Sequence, residues 1–91
     1  MANSINGRPW VLDTAGLIKS GRTWTTGFVF RGYAAQGDTA EITDAVRGVV
    51  VCKLTGNSDL SPEGEAWIHP QQIQDLTLTL SAGGIVEVIV K

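Results

Sequence analysis

The sequence has 91 residues, of which 43% are hydrophobic and only 18% are charged. This length suffices for one small domain and excludes two. No apolar run approaches the roughly 20 residues that a membrane-spanning helix needs, and a single cysteine excludes an intrachain disulfide. The N-terminal residues lack the basic and apolar regions of a secretory signal, so we expect synthesis in the cytoplasm.

The net charge of −2 is unevenly distributed along the chain. Residues 1–36 carry four cationic side chains and one acidic one, whereas residues 37–91 carry three cationic and eight acidic ones. This asymmetry predicts that the N-terminal part faces an acidic partner, and the alternative is self-complementarity between copies or faces. The chain is not basic enough for nucleic acid to be its main partner.

The first 22 residues lack a regular apolar period and are interrupted by turn-forming residues. We therefore predict an extended N-terminal arm over residues 1–22, with one short strand at residues 10–12. Residues 23–91 form a predicted single β domain, because short runs rich in Val, Ile and Thr alternate with turns and no stretch keeps a helical period. Its predicted strands are residues 24–33, 38–45, 49–54, 65–69, 76–80 and 85–90.

Alternation of apolar and polar residues predicts which side chains face the core. The predicted inward residues are Trp24, Thr26, Phe28, Phe30, Ala40, Ile42, Val50, Cys52, Leu54, Val86, Val88 and Val90. The first three strands of the domain are predicted to form a meander, and the last two a hairpin around residues 81–84. These features predict an all-β fold, a small antiparallel sandwich or partly open barrel of about six to eight strands.

The same alternation leaves large apolar side chains on the outer faces, which would be an aggregation hazard in a lone monomer. These outward residues are Val29, Val49, Val51, Ile85 and Ile89. We expect the N-terminal arm and neighbouring subunits to cover them. The predicted interface residues are Arg8, Trp10, Arg22, Val49 and Val51.

Residues 32–39, GYAAQGDT, come within one residue of the phosphate-binding pattern GxxxxGK[ST]. Asp38 stands where that pattern needs lysine, so an anion occupies the place of the cation that would bind phosphate. A strand pattern follows, where a phosphate-binding loop needs a helix. We interpret the segment as a hairpin loop with a turn at Gly37 and Asp38, and predict no nucleotide cofactor.

Catalytic and metal-binding residues are sparse in this chain. His69 is the only histidine, and no GxSxG motif accompanies it, so we predict no enzymatic activity, with a small hydrolase built around His69 as a rival. Cys52 lies at an inward strand position and is predicted to be inert. The oxygen-bearing loop residues Asn57, Asp59, Glu63 and Glu65 could bind calcium, but their spacing fits no EF-hand, so we predict no metal site.

The three tryptophans raise the question of a sugar-binding platform. Trp67 shares its predicted face with Glu65 and His69 and is expected to be partly exposed. An exposed aromatic ring can stack on a sugar, which makes a carbohydrate- or cell-surface-binding module the alternative function. Packing in the core or in an interface is the favoured interpretation of all three rings.

The run FRGYAAQGDTAEITDAVRGVVV, the segment WIHP and the closing SAGGIVEVIVK resemble small β-rich virion structural proteins of tailed bacteriophages, among them capsid decoration (cement) proteins. The resemblance covers about residues 24–91 by general pattern and includes no catalytic motif. It implies a protein made in the host cytoplasm that binds the outer capsid surface and stabilises contacts between major capsid subunits. The implied partners are the major capsid protein and further copies in a dimer or trimer, without nucleic acid or membrane.

Overall fold

The computed structural model describes residues 3–5, 7 and 9–90, which contain no helix and hence no helix long and apolar enough to cross a membrane. The strands are β1 (Trp10–Leu12), β2 (Gly16–Arg31), β3 (Thr39–Asp44), β4 (Val49–Thr55), β5 (Glu63–Leu80) and β6 (Ile85–Val90). These six described strands form one antiparallel sheet in the order β1-β6-β2-β5-β3-β4. The predicted all-β class and small, partly open architecture are confirmed.

The two longest strands, β2 with 16 residues and β5 with 18, organise the sheet. They pair with each other over most of their length, while β6 pairs with the second half of β2 and β3 pairs with the end of β5. Every strand contributes buried apolar side chains to one shared core. Since one sheet supplies all of these side chains, it must curve around them.

The N-terminal strands differ in part from the prediction. The short strand at residues 10–12 is confirmed as β1, which pairs with β6. β2 begins at Gly16 and runs through residue 22, where the sequence places the boundary between arm and domain. That division into two regions stays a prediction. The strands predicted at residues 65–69 and 76–80 are parts of one strand, β5, which continues through Pro70.

Two predicted pairings between consecutive strands are wrong. β5 and β6 do not form a hairpin, because residues 81–84 carry the chain across the curved sheet, where β6 pairs with β1 and β2. Gly84 suits this crossing because its φ is +136° and a Cβ there would lie 2.5 Å from the ring of Phe30. The predicted meander is wrong at its first step, since β3 pairs with β4 and β5 but not with β2.

The GYAAQGDT segment is therefore a connection between unpaired strands and not the loop of a hairpin. Its predicted turn is present, with Gly37 at a φ of +93°. The Asp38 carboxylate accepts a hydrogen bond from the backbone N–H of Ala35 at 3.2 Å, and the Asp38 N–H donates to the Ala35 carbonyl at 3.2 Å. Asp38, which stands where the phosphate-binding pattern needs lysine, thus closes the turn by bonding to the backbone of Ala35.

The predicted inward faces of β3 and β6 are confirmed by burial, but alternation fails in β2 and β4. Trp24 and Val50 were predicted inward and are 50% and 55% exposed. The reason is a register shift in each strand. In β2 the shift lies between Thr25 and Gly27. In β4 it lies at Val51, opposite the step from Ile42 to Thr43 in β3. An extra residue at a bulge exchanges the two faces, so that Thr23 and Thr25 are buried instead.

Candidate interaction surface

A large bulge in β5 interrupts the long pairing of β5 with β2. Between the pairs Thr25–Gln71 and Gly27–Ala66, β2 has one residue and β5 has four, residues 67–70. The surplus residues of β5 cannot join the ladder and project from it. Bulges are common beside functional sites, so the side chains on this one are the natural place to look for an interaction surface.

Gly27 and Pro70 explain why the bulge forms here. A Cβ at Gly27 would lie 2.6 Å from the carbonyl oxygen of Glu65, so only glycine lets the two backbones approach this closely. Pro70 lacks an N–H to donate to the sheet, and a bulge is one of the few places in a strand where that lack is tolerated.

Several exposed side chains around the bulge are apolar, beside the exposed polar residues His69 and Gln71. Ile68, on the bulge itself, is 95% exposed, Trp24 is 50% exposed and Ile89 is 39% exposed. Ala66 is exposed as well, and its pairing partner Gly27 also pairs with Ile89, so Ala66 and Ile89 flank Gly27 in one row across three strands. We call the four side chains of Trp24, Ala66, Ile68 and Ile89 the bulge surface.

The predicted interface residues do not come together in one surface. Arg8 lies outside the described residues. Trp10 is only 7% exposed and belongs to the protein's own core, in β1 at one end of the sheet. Val49 is 44% exposed and Val51 is partly buried against the core, both in β4 at the other end. Arg22 is exposed on the outer face of β2, near the bulge surface.

Trp67, the sugar platform of the alternative function, is largely occupied by contacts within the protein. Its ring meets that of Phe28 edge to face, with centroids 5.3 Å apart and an interplanar angle of 79°. Its indole N–H donates to Glu65 Oε1 at 3.1 Å, and the ring packs against the core. His69 is exposed on the bulge. Trp24 is therefore the half-exposed ring of this region, which alternation had assigned to the core.

The loop that contains Asn57, Asp59 and Glu63 is held by its own hydrogen bonds. Asn57 Nδ2 donates to Glu63 Oε1 at 2.7 Å and to Ser61 Oγ at 2.9 Å, while Asn57 Oδ1 accepts from the Asp59 N–H at 3.0 Å. The described part of the chain holds no group of three or more His, Cys, Asp or Glu side chains placed to bind a metal ion. The loop oxygens act as structural hydrogen-bond acceptors.

Cys52 is buried, as predicted, and its Sγ donates to Glu65 Oε2 at 3.4 Å. Burial, together with the Glu65 carboxylate, raises the pKa of the thiol to about 12. Because the thiolate is the reactive form, we expect the folded protein to react with a disulfide reagent at pH 8 more than about a thousandfold more slowly than free cysteine does. Absorbance of released thionitrobenzoate measures this rate, and denaturant should restore fast reaction. Fast labelling without denaturant would show that the thiol is accessible.

Asp44 is a buried carboxylate on the inward phase of β3, next after Ala40 and Ile42. It is 0% exposed, and its oxygens accept the backbone N–H of Arg47 at 2.9 Å, that of Gln74 at 3.0 Å and Nε of Arg47 at 2.9 Å. These donors, led by the Arg47 backbone, outweigh burial and hold the pKa of Asp44 at about 2, below its ordinary value of 3.8. Asp44 thereby ties the β3–β4 turn to β5.

The depressed pKa of Asp44 predicts acid sensitivity. The ionised carboxylate stabilises the folded protein above its ordinary pKa of 3.8, and this contribution is lost as the pH falls through about 2. We expect Asp44→Asn to lower the melting temperature at pH 7 by roughly 5–15 °C. The variant should also lose less stability than the parent between pH 4 and pH 2. Thermal unfolding at pH 7, 4 and 2 measures these changes in melting temperature. Asp59→Asn, on an exposed loop, is the control and should change the melting temperature little.

The bulge surface was missed by sequence reasoning, although two signals point to it. A proline and a glycine, Pro70 and Gly27, stand inside otherwise regular strand patterns, and both mark bulges when they occur there. Comparisons of the chain with protein-family models, curated proteins and solved structures find no match. Its functional interpretation therefore depends on its own exposed side chains and charges, together with the sequence resemblance.

Proposed function

We propose that this protein is a structural subunit of a tailed-phage virion, a decoration or cement protein that binds the outer capsid surface and stabilises contacts between major capsid subunits. The observation that carries the proposal is Ile68, 95% exposed on the β5 bulge, with Trp24 50% exposed on the neighbouring strand β2. An apolar patch of this kind on a domain with its own complete core favours contact with another protein. The sequence resemblance supplies the virion setting.

The charge distribution supports docking on an acidic surface. Lys19 and Arg22 are exposed in the first half of β2, on the cationic N-terminal part of the chain. Neither forms an ion pair with the residues that the structure describes. In the proposed mechanism these cations meet an acidic region of the shell while apolar side chains are buried against it. Trp10 takes no direct part, because it is buried in the subunit's own core.

Quantitative mass spectrometry of purified phage particles tests the proposal. A decoration protein is present in a fixed and large ratio to the major capsid protein, and particles that lack it lose their genome at a lower temperature. Absence from particles, or only a few copies in each, would contradict the capsid role. Thermal release of DNA from particles with and without the gene completes the test.

A carbohydrate- or cell-surface-binding module is the second candidate, and half-exposed Trp24 is the observation that favours it. Sugar binding on a glycan array that is lost in Trp24→Ala and kept in Trp67→Ala would support this function with Trp24 as the platform. The reverse result would return the platform to Trp67. Loss in neither variant, or no binding at all, would exclude tryptophan-based sugar recognition.

A further inference from the structure

The outer face of β2 carries an arginine and a tryptophan just before the bulge. Thr23 and Thr25 are 6% and 0% exposed and therefore point into the core. Arg22 and Trp24 alternate with them and project from the outer face. Residues two apart in a strand lie about 7 Å apart, so the half-exposed indole has a guanidinium group as its neighbour along the strand.

Two glutamines of β5 complete a patch on this face. Gln72 and Gln74 lie on either side of Ile73, which is 0% exposed and points into the core. Trp24 pairs with Gln72 and Arg22 pairs with Gln74, so the four side chains form two adjacent cross-strand pairs. We call the side chains of Arg22, Trp24, Gln72 and Gln74 the Trp24 patch.

The β3–β4 turn fixes the part of β5 that carries the two glutamines. The carboxylate of Asp44 accepts the backbone N–H of Gln74 at 3.0 Å, and Nη2 of Arg47 donates to the backbone carbonyl of Gln72 at 3.4 Å. Both bonds use backbone atoms of the glutamines, so the two carboxamides remain available to a ligand. Polar side chains on a backbone held in this way are positioned before a ligand arrives.

The charge on this patch is positive. Arg22 forms no ion pair within the described part of the chain. Two acids lie close by in the sheet, and both are engaged: Asp75 accepts the backbone N–H of Gly21 at 2.8 Å, and buried Asp44 pairs with Arg47 at 2.9 Å. The Arg22 guanidinium is therefore available to an anion, and its planar fork matches a carboxylate or a sulfate.

We infer that the Trp24 patch binds an acidic polysaccharide. The indole ring stacks on the apolar face of a sugar, the carboxamides of Gln72 and Gln74 bond to its hydroxyl groups, and the Arg22 guanidinium pairs with its acidic group. The inference rests on the carbohydrate-binding function named above as the second candidate. It deepens that candidate by assigning the charge of the ligand, and it does not require a capsid.

The composition of the patch favours this ligand over a protein or a nucleic acid. Three of its four side chains end in charged or amide groups, whereas the centre of a protein interface is depleted of charge. Single-stranded nucleic acid is held by successive stacking platforms along a basic groove. Among the described aromatic residues, Trp24 alone is classed as exposed, so a second platform is missing from this face.

An open sheet face with one stacking ring predicts weak binding at a single site. We expect a dissociation constant on the order of 0.1–1 mM for a short oligosaccharide. A polysaccharide repeats the same unit many times, and copies of this protein held together would bind it far more tightly through several sites at once.

NMR titration of the ¹⁵N-labelled protein with acidic oligosaccharides tests the inference. The probes are fragments of polygalacturonate, alginate, hyaluronate and polysialate, added to about 10 mM of repeating units. With at least one of them, the indole N–H signal of Trp24 and the amide signals of Gln72 and Gln74 should shift, while the indole signals of Trp10 and Trp67 stay in place. Trp24→Ala and Arg22→Ala should each weaken binding at least about tenfold.

Matched controls separate sugar recognition from attraction between charges. Lys53→Ala removes a cation that is exposed on β4, away from the patch, and should leave binding unchanged. Methyl-esterified polygalacturonate keeps the sugar rings but loses their charge, and it should bind at least about tenfold more weakly than the acid if polygalacturonate is the ligand. Poly-L-glutamate carries the charge without the sugar and should not bind.

Each outcome decides the inference. Absence of binding to all four acidic sugars, binding that survives Trp24→Ala, or equal binding of poly-L-glutamate or oligothymidylate would overturn it. Binding of neutral oligosaccharides that depends on Trp24 but not on Arg22 would overturn the acidic specificity and leave the carbohydrate-binding function standing. The capsid role is decided separately by the copy number in particles, which none of these titrations changes.

Discussion

Replacing Phe28 by alanine is expected to lower the free energy of unfolding by about 3–5 kcal/mol. Phe28 is 0% exposed and packs edge to face against Trp67, next to the bulge. The truncated side chain would leave a cavity that Gly27 and its closely packed neighbours cannot fill. A domain of this size has a total stability of roughly 5–14 kcal/mol, so the substitution should remove a substantial fraction of it.

Urea unfolding followed by tryptophan fluorescence measures this loss. Val29→Ala is the control on the same strand, since Val29 faces outward, is only partly buried and should cost about 1 kcal/mol or less. Equal losses in the two variants would mean that the strand's inner and outer faces have been assigned wrongly. A small loss in Phe28→Ala alone would mean that the core collapses around the deleted ring.

Gly27→Ala is expected to destabilise the domain by about 2–3 kcal/mol. The new Cβ would lie 2.6 Å from the Glu65 carbonyl oxygen and 3.1 Å from the Ala66 Cα, both of which are backbone atoms. Relief requires β2 and β5 to separate at the bulge, where hydrogen bonds of the ladder would be lost. Because the bulge presents Ile68, the substitution should also weaken any contact made through the bulge surface.

Gly83→Ala is the matched control for this substitution, since a Cβ at Gly83 meets no atom within 4 Å. The two variants differ from the parent by the same methyl group, so a comparison of their urea midpoints isolates the steric effect at the bulge. Hydrogen exchange of the amides of residues 63–66 would locate the damage. A Gly27→Ala protein as stable as the Gly83→Ala protein would contradict the close approach of the two strands.

Regular alternation made parts of this fold predictable. β3 and β6 keep a strict two-residue period, and their buried residues follow from it. The same rule fails at Trp24 and Val50, because a bulge shifts the period by one residue. The pattern of apolar and polar residues does not show where a bulge lies. Pairing was less predictable than strand position, since the glycine-rich segment at residues 81–84 has the composition of a hairpin turn and yet joins unpaired strands.

The candidate surface was harder to predict for a related reason. Exposure of Ile68 and Trp24 depends on which residues face each other across β2 and β5, and this register is a property of the assembled sheet. Arg22 was identified from charge alone and does lie near the surface. The sequence predicts Trp10 at an interface because an aromatic residue in an extended arm can anchor it on a neighbour, whereas pairing of β1 with β6 buries Trp10.

The pairing of β1 with β6 limits when this domain can form during its synthesis. Of the six strands described, only β3 and β4 pair with a neighbour in the chain, and β2 must wait for both β5 and β6. Phe28 and Phe30 therefore remain uncovered on the nascent chain until β6 has left the ribosome. Such non-local pairing slows folding and lengthens exposure to aggregation and chaperones. We expect the sheet to be completed only after β6, the last of the described strands, has been synthesised.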